Sequence, residues 1–259
     1  MPTSPKLRLD LLLVDRALVP SRERARAVIL AGRVLVAEQK IDKPGTSVQA
    51  DAPIRLLGED QPYVSRGGLK LANALEHWRI DVLNRFCLDV GASTGGFTDC
   101  LLQHGAAHVV AIDTGFGQIA MKLRNDPRVT LMERTNARYL EPNSLAAGQG
   151  SGPQFPSPSF LTMDVSFISA TLLLEPVFDA APQLIEAVIL VKPQFEAGRR
   201  HVGKGGIVRD HAAHQLAIEK VADCILSCGW QVVETIPSPI EGAEGNKEFL
   251  LYAQRPPTR

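Results

Sequence analysis

The chain has 259 residues, with 28 Lys and Arg balanced by 28 Asp and Glu and 45% hydrophobic side chains. That length accommodates one enzyme-sized domain and one small module, and zero net charge argues against a protein that coats nucleic acid indiscriminately. No apolar stretch approaches the roughly 20 residues of a membrane span, so no membrane association is expected. The opening MPTSPKLRLD has no apolar signal region, and cysteines at 87, 100, 224 and 228 lack the spacing of a disulfide or zinc framework. Both features predict a cytoplasmic protein without a metal site. His201, His211 and His214 have no acid or cysteine at ligand spacing, and His211 and His214 are expected on a helix surface.

In chain order, LDLLLVDRALVPSRERARAVILAGRVLVA predicts a short amphipathic helix and a break at Pro20–Ser21, with Ser21 as N-cap of a second helix. Gly32 then stops that helix before a strand. The segment is basic, with Lys6, Arg8, Arg16, Arg22, Arg24, Arg26 and Arg33 against Asp10, Asp15 and Glu23. Arg22 and Arg26 share a helix face by their spacing of four. Such a face is either merely solvated or binds phosphates, and composition alone does not choose between them. Next, QPYVSRGGLKLANALEHW places a Gly67–Gly68 hinge before a helix carrying Lys70.

Residues 88–99, LDVGASTGGFTD, follow an apolar run with Gly91, Gly95 and Gly96. Glycines there let backbone approach a ligand at the start of a helix whose free N–H groups face it, although such turns also use glycine only for tightness. Asp113 closes the next apolar run, where an acid is placed to accept the ribose hydroxyls of an adenosine. Three further apolar segments carry an ionisable edge: LTMDVSF with Asp164, VILVKPQFE with Lys192 and GNKEFLLY with Glu248. Carboxyl ends of strands line the crevice of an open α/β sheet, so these charges are expected to converge. Seven strands are predicted, at 87–90, 108–113, 129–133, 160–164, 187–192, 231–234 and 248–253. The Pro-, Gly- and Ser-rich stretch 141–160 reads as a surface loop. GKGGIVRD offers Lys204 and Arg209 to RNA but lacks the phosphate-loop pattern of a nucleotide hydrolase.

In order and spacing the first segment, with the KPG that follows it, resembles the S4 RNA-binding module. That resemblance implies Arg8, Arg22, Arg26 and Arg33 facing RNA phosphates, which give affinity and register rather than sequence choice. YVSRGGLKL, DVGASTGGFTD, MDVSFIS, VKPQFE, GKGGIVRD and GNKEFL extend the likeness over nearly the whole chain, to the TlyA family of ribosomal RNA methyltransferases, also named hemolysin A. The family implies an α/β fold: an S4-like domain over 1–60, a linker and first helix with Lys70 over 61–82, and a seven-stranded Rossmann-like, FtsJ-like methyltransferase domain over 83–259. It implies S-adenosylmethionine as cofactor, with Asp89, Gly91, Ser93, Gly95, Gly96, Phe97 and Thr98 around its amino-acid part. Asp113 is then expected at the ribose and Asn136 near the adenine, with Arg66 a further RNA-facing residue. The catalytic set of the related FtsJ-type 2′-O-methyltransferases is matched by Lys70, Asp164, Lys192 and Glu248.

Such a set suits the chemistry, because a ribose 2′-hydroxyl is a poor nucleophile that gains from positioning and from a base. Lys192 is the expected base, and Lys70 is a cation available to help it shed its proton. Asp164 and Glu248 are expected to orient the ammonium groups. The implied partner is ribosomal RNA or a ribosomal subunit, with cytidine the target. Two other classes are open: an RNA-binding protein with an inactive methyltransferase domain, against which the complete four-residue set stands, and a pore-forming cytolysin, against which the cofactor site stands.

Overall fold

A computed structural model of the chain describes residues 5–57, 62–146, 156–242 and 244–257. Residues divide into two compact units, 1–61 and 62–259.

The first unit contains β1 (Lys6–Arg8), α1 (Leu9–Asp15), α2 (Arg22–Leu30), β2 (Val34–Val36), β3 (Gln39–Ile41), β4 (Ser47–Gln49) and β5 (Ile54–Leu56). Ser21 caps α2 by accepting from the Arg24 N–H at 3.2 Å. Gly32 ends it with φ +65°, its own N–H on the Ile29 carbonyl and that of Arg33 on Val28. Those two bonds satisfy the last carbonyls of the helix, as the expected glycine stop requires. The helices bury Leu9, Leu12, Leu13, Ala25, Val28 and Ile29 over the antiparallel strands, which pair as β1–β4 and β3–β2–β5.

The second unit runs α3 (Gly67–His77), β6 (Phe86–Val90), α4 (Gly96–Gln103), β7 (His108–Ile112), α5 (Met121–Arg124), β8 (Val129–Met132), β9 (Phe160–Met163), α6 (Thr171–Ala180), β10 (Glu186–Val191), α7 (Pro193–Glu196), α8 (His211–Ser227), β11 (Gln231–Pro237) and β12 (Phe249–Gln254). Its seven strands are ordered β11-β12-β10-β9-β6-β7-β8. Neighbours from β10 to β8 pair in parallel, and β12 is antiparallel to both β10 and β11. Alternate side chains of each strand enter different cores. Leu88, Val90, Val110, Ile112, Leu161 and Met163 pack with α6 and α8. Cys87, Val109, Ala111 and Phe160 pack with α3 and α4. Burial on both faces is why these strands read as unbroken apolar runs.

All seven expected strands are present, but β7, β9 and β10 stop one residue before Asp113, Asp164 and Lys192, and β12 begins one residue after Glu248. The charged residues leave the ladder at a single edge of the sheet. Residues 61–82 are expected to be a linker with a glycine hinge and a first helix carrying Lys70, and that helix is α3. From Pro62 onward they lie in the second unit, and Gly67–Gly68 is the first turn of α3. A Cβ on Gly68 would stand 2.3 Å from the Tyr63 ring, so that glycine serves close packing. His214, expected on a surface, is buried with Nε2 2.8 Å from the Val208 carbonyl, while His211 is exposed. Of the predicted loop at 141–160, residues 147–155 lie outside the described residues, and Leu145 is buried against the end of α6.

Candidate active site

The chain runs from β6 to β7 and β8 on one side of the sheet and returns to β9 and β10 on the other. A crevice opens at such a reversal, outside the carboxyl ends of the strands. Here it is a cavity of about 410 Å³ whose wall includes Gly91, Ser93, Asp113, Asn136 and Asp164. Thr114, Gln118, Thr135, Ser166 and Phe167 complete its polar and aromatic lining. The volume lies in the range of pockets that enclose a cofactor.

Gly91 has φ +87°, and a Cβ there would sit 2.3 Å from the Asp164 carbonyl oxygen. Only glycine lets the β6 turn cross the end of β9 so closely. Asp113 is fixed by two backbone donors, Ser93 N–H at 2.8 Å and Gly115 N–H at 2.6 Å. Each carboxylate oxygen has two acceptor sites, so both retain capacity for a hydroxyl. Asn136 accepts from the Arg138 N–H at 3.0 Å and turns the chain after β8 beside the cavity.

The rest of the expected cofactor set stands behind this wall. Asp89 has no exposed surface, accepting from Thr98 Oγ1 at 2.6 Å and Thr162 Oγ1 at 3.1 Å. Burial pushes its carboxyl up to about 6 against the pull of those donors. Thr98 is spent on Asp89, and Phe97 belongs to the core beneath α3 and α4. A Cβ on Gly95 would meet Leu123 at 2.3 Å, and one on Gly96 would meet Ser65 Oγ at 2.3 Å and the Gly68 nitrogen at 2.9 Å. These five residues shape the turn and let α3 approach α4. Their sequence signal is the same as that of ligand-facing positions, since both uses demand small or buried residues in one short segment.

The four residues expected to carry the chemistry form two ion pairs. Lys70 Nζ lies 2.5 Å from Glu248 Oε2, with side chains 10% and 3% exposed. Lys192 Nζ lies 2.5 Å from Asp164 Oδ1, with side chains 9% and 20% exposed. Lys192 donates an aligned hydrogen bond to Ser166 Oγ at 2.8 Å, whereas its contact with Asp164 Oδ1 is out of alignment and leaves that oxygen without an aligned donor. Buried charges persist when paired, and two cations with two carboxylates leave the site formally neutral. Lys70 is thus engaged with Glu248, not held in reserve.

Both ends of α3 are pinned where it presents Lys70. Its start packs on Gly96 and Tyr63, and just past its end the Trp78 ring stacks on Tyr252 while its Nε1 donates to Glu234 at 2.8 Å. Glu248 is set by the buried Asn246, which accepts from the Val208 N–H and donates to the Gly206 carbonyl, each at 2.9 Å. A Cβ on Gly242 would meet Glu248 Oε1 at 2.6 Å, so that loop must be bare there. Asn246 and Ser166 escape sequence reading because their partners are remote in the chain.

In the first unit the basic residues have divided duties. Arg8 and Arg22 each place Nε 3.0 Å from an oxygen of Asp10, whose side chain they shut off from solvent, yet they remain 49% and 54% exposed. Chiefly through Arg8's hydrogen bonds, the Asp10 carboxyl is held down to about 2. Arg33 donates from Nε to the Leu57 carbonyl at 2.8 Å, and Arg26 and Arg66 are exposed.

Together, the reversal of strand order, the glycine cradle facing an acid-bound turn, and the paired lysines define an FtsJ-like methyltransferase. The model of that family matches residues 63–255, and the S4 domain model matches residues 7–54. The chain belongs to the TlyA, or hemolysin A, family of this class, as its motifs led one to expect. It is 42% identical over 248 residues to the 16S/23S rRNA (cytidine-2'-O)-methyltransferase TlyA of Mycobacterium tuberculosis (strain ATCC 25618 / H37Rv), covering 95% of this chain and 89% of that one. Hemolysin A of Brachyspira hyodysenteriae is 40% identical, over 95% and 99% of the two chains. The solved structure of a candidate hemolysin from Streptococcus thermophilus is 41% identical, covers 97% of this chain and 89% of that chain, and superposes with a TM-score of 0.71.

Proposed function

We propose that the chain methylates the ribose 2′-oxygen of a cytidine in ribosomal RNA, using S-adenosylmethionine. One observation carries this reading: two lysine–carboxylate pairs, with Lys70, Glu248 and Lys192 buried and Asp164 partly exposed to the cavity, stand at the sheet edge that borders a cofactor-sized space. Residues around the cavity fit the donor, because Gly91 leaves backbone room and Asp113 keeps acceptor capacity for ribose hydroxyls. Gly91, Ser93, Asp113 and Asn136 would hold it, and when bound it supplies an electrophilic methyl group.

After its ammonium releases a proton to solvent, Lys192 serves as the base whose neutral amine takes the 2′-hydroxyl proton. Asp164 and Ser166 orient its amine, and the pair of Lys70 with Glu248 fixes the other side of the acceptor site. General bases of this kind contribute about 10²–10⁴-fold. The first unit grips RNA phosphates through Arg8, Arg22, Arg26 and Arg33, joined by Arg66 at the start of α3. The half-exposed guanidiniums of Arg8 and Arg22 support this, since the pair with Asp10 holds them in place while leaving their edges to solvent. Work on ribosomal RNA implies a cytoplasmic enzyme.

The test is transfer of labelled methyl groups to unmethylated 30S and 50S particles and to bare ribosomal RNA. Lys192→Ala and Lys192→Arg are the comparison variants. Arginine keeps the charge but does not give up its proton, so both variants should lose at least about 10²-fold in kcat. Label on a base rather than a ribose oxygen would overturn the target. An active Lys192→Arg enzyme would overturn the base. Vesicle leakage with no methyl transfer to any RNA would favour the cytolytic activity named in some relatives.

A further inference from the structure

Glu196 lies four residues beyond Lys192, in the same VKPQFE motif, and the reading above gives it no duty. Its side chain is 2% exposed. It does not turn toward Lys192. Instead Oε2 accepts from Ser169 Oγ at 2.5 Å and Oε1 accepts from the Ala170 N–H at 2.6 Å, at the N-terminal end of α6. Lys220 of α8 neutralises it, with Nζ 3.2 Å from Oε2 and also donating to Ser169 Oγ and to the Glu196 carbonyl. An ionised carboxylate is well suited there, because the end of α6 presents unpaired N–H groups and positive potential.

The segment so anchored is the one that shapes the active site. It leaves β9 at Asp164, passes Val165 and Ser166, and turns through Phe167, whose φ of +65° is unusual for a side-chain-bearing residue. It ends at Ser169 and Ala170. The other side of the circuit is the turn of α7, where the Phe195 N–H bonds to the Lys192 carbonyl and the Ala197 N–H to Pro193. Phe167 and Phe195 face each other across this gap, with ring centroids 5.5 Å apart. Glu196 therefore closes a ring: Asp164, the 165–170 segment, Glu196, the α7 turn, Lys192, and back to Asp164 through the ion pair.

We infer that Glu196 is a positioning residue for methyl transfer: it holds the 165–170 segment so that Asp164 and Ser166 keep Lys192 in register with the acceptor site. The inference rests on the catalytic reading of Lys192 given above. A left-handed backbone turn relaxes unless both ends are fixed. Near Asp164 the β-sheet supplies one fixed end, and Glu196 supplies the other.

The experiment combines kinetics with amide hydrogen exchange on the full chain. Glu196→Ala should speed exchange of the 165–170 amides by about tenfold while β6, β7 and β10 keep their protection. Assayed well below its melting temperature, it should lose about 10²-fold in kcat, with KM for RNA changed less than about twofold, because misplacement costs rate rather than grip. Glu196→Gln retains one acceptor and should recover much of that loss. Should Glu196→Ala not fold, Ser169→Ala removes one of the two donors, and it should show the same local exchange and roughly a tenfold drop in kcat.

Wild-type exchange at 165–170, or a lowered melting temperature with kcat intact, would overturn the inference. Lys192→Ala separates the two readings. If that variant stays active the base assignment falls, and the exchange of 165–170 still decides whether Glu196 positions the segment.

Discussion

Asp89 illustrates how a residue with a cofactor-like sequence signal acquires another duty on folding. Its carboxyl, raised by burial from 3.8 to about 6, binds its proton more tightly in the folded than in the unfolded chain. Stability from this group is therefore full below pH 3.8 and is lost as pH rises through 6, by about 3 kcal/mol for a shift of roughly two units. Asp89→Asn lacks that loss. Unfolding free energies of variant and parent, compared in denaturant at pH 4 and 7.5, should shift toward the variant by up to that amount, and a pH-independent difference would contradict the burial argument. Gly91 makes the complementary case. Gly91→Ala puts a methyl 2.3 Å from the Asp164 carbonyl at a positive φ, so it should destabilise by about 2 kcal/mol and abolish cofactor binding in calorimetry. Asp89 and Gly91 stand two residues apart in one motif. No pattern distinguishes the buried acid from the bare cradle, because only the crossing of β9 decides which of them meets the cavity.

At the scale of elements, helix ends and strand edges follow local rules closely. Ser21, Pro20 and Gly32 bound α2 as their chemistry requires, and Ser21→Ala should cost the first unit about 1 kcal/mol, measurable as a lowered urea midpoint. The expected inner strands β6, β7, β9, β10 and β12 appear because apolar runs of four to six residues suit a sheet covered on both faces, whereas the edge strand β11 is largely exposed. The placement of α3 was not legible in the same way. Its glycines read as a hinge, yet Gly68 lies against Tyr63 and Trp78 locks onto Tyr252 and Glu234. These partners are more than 150 residues away in the chain for the tryptophan, so local spacing carries no trace of them. His214 is buried, not on a helix surface, for a related reason: its partner, the Val208 carbonyl, is only six residues away, but Val208 is itself held by Asn246, 38 residues further along the chain.

For the whole molecule, one carboxylate in each unit, Asp10 and Asp89, responds to acid in the opposite direction to the other. Asp10 is held down to about 2, so its contribution to the first unit is present above 3.8 and is lost as pH falls toward 2. Asp89 strengthens the second unit over the range from 6 down to 3.8. Both tryptophans, Trp78 and Trp230, belong to the second unit, so their fluorescence reports it alone. Between pH 6 and 3, melting by tryptophan fluorescence should fall more steeply in Asp89→Asn than in the parent, whereas melting of the first unit, followed by amide exchange of α1 and α2, should fall less steeply in Asp10→Asn; unchanged slopes would count against the two shifts. The sequence by itself determined the family, the seven strands, the capped second helix of the first unit and the placing of Asp164, Lys192 and Glu248 at one edge of the sheet. Those depend on short-range periodicity, turn chemistry and residue types that no other duty explains together. Only the tertiary structure decided which members of the glycine motif reach the cavity, how Lys70 pairs with Glu248 and Lys192 with Asp164, and what Ser166, Asn246 and Glu196 hold in place. Each depends on contacts between segments far apart in the chain, and those distances are set by how strands order in the sheet.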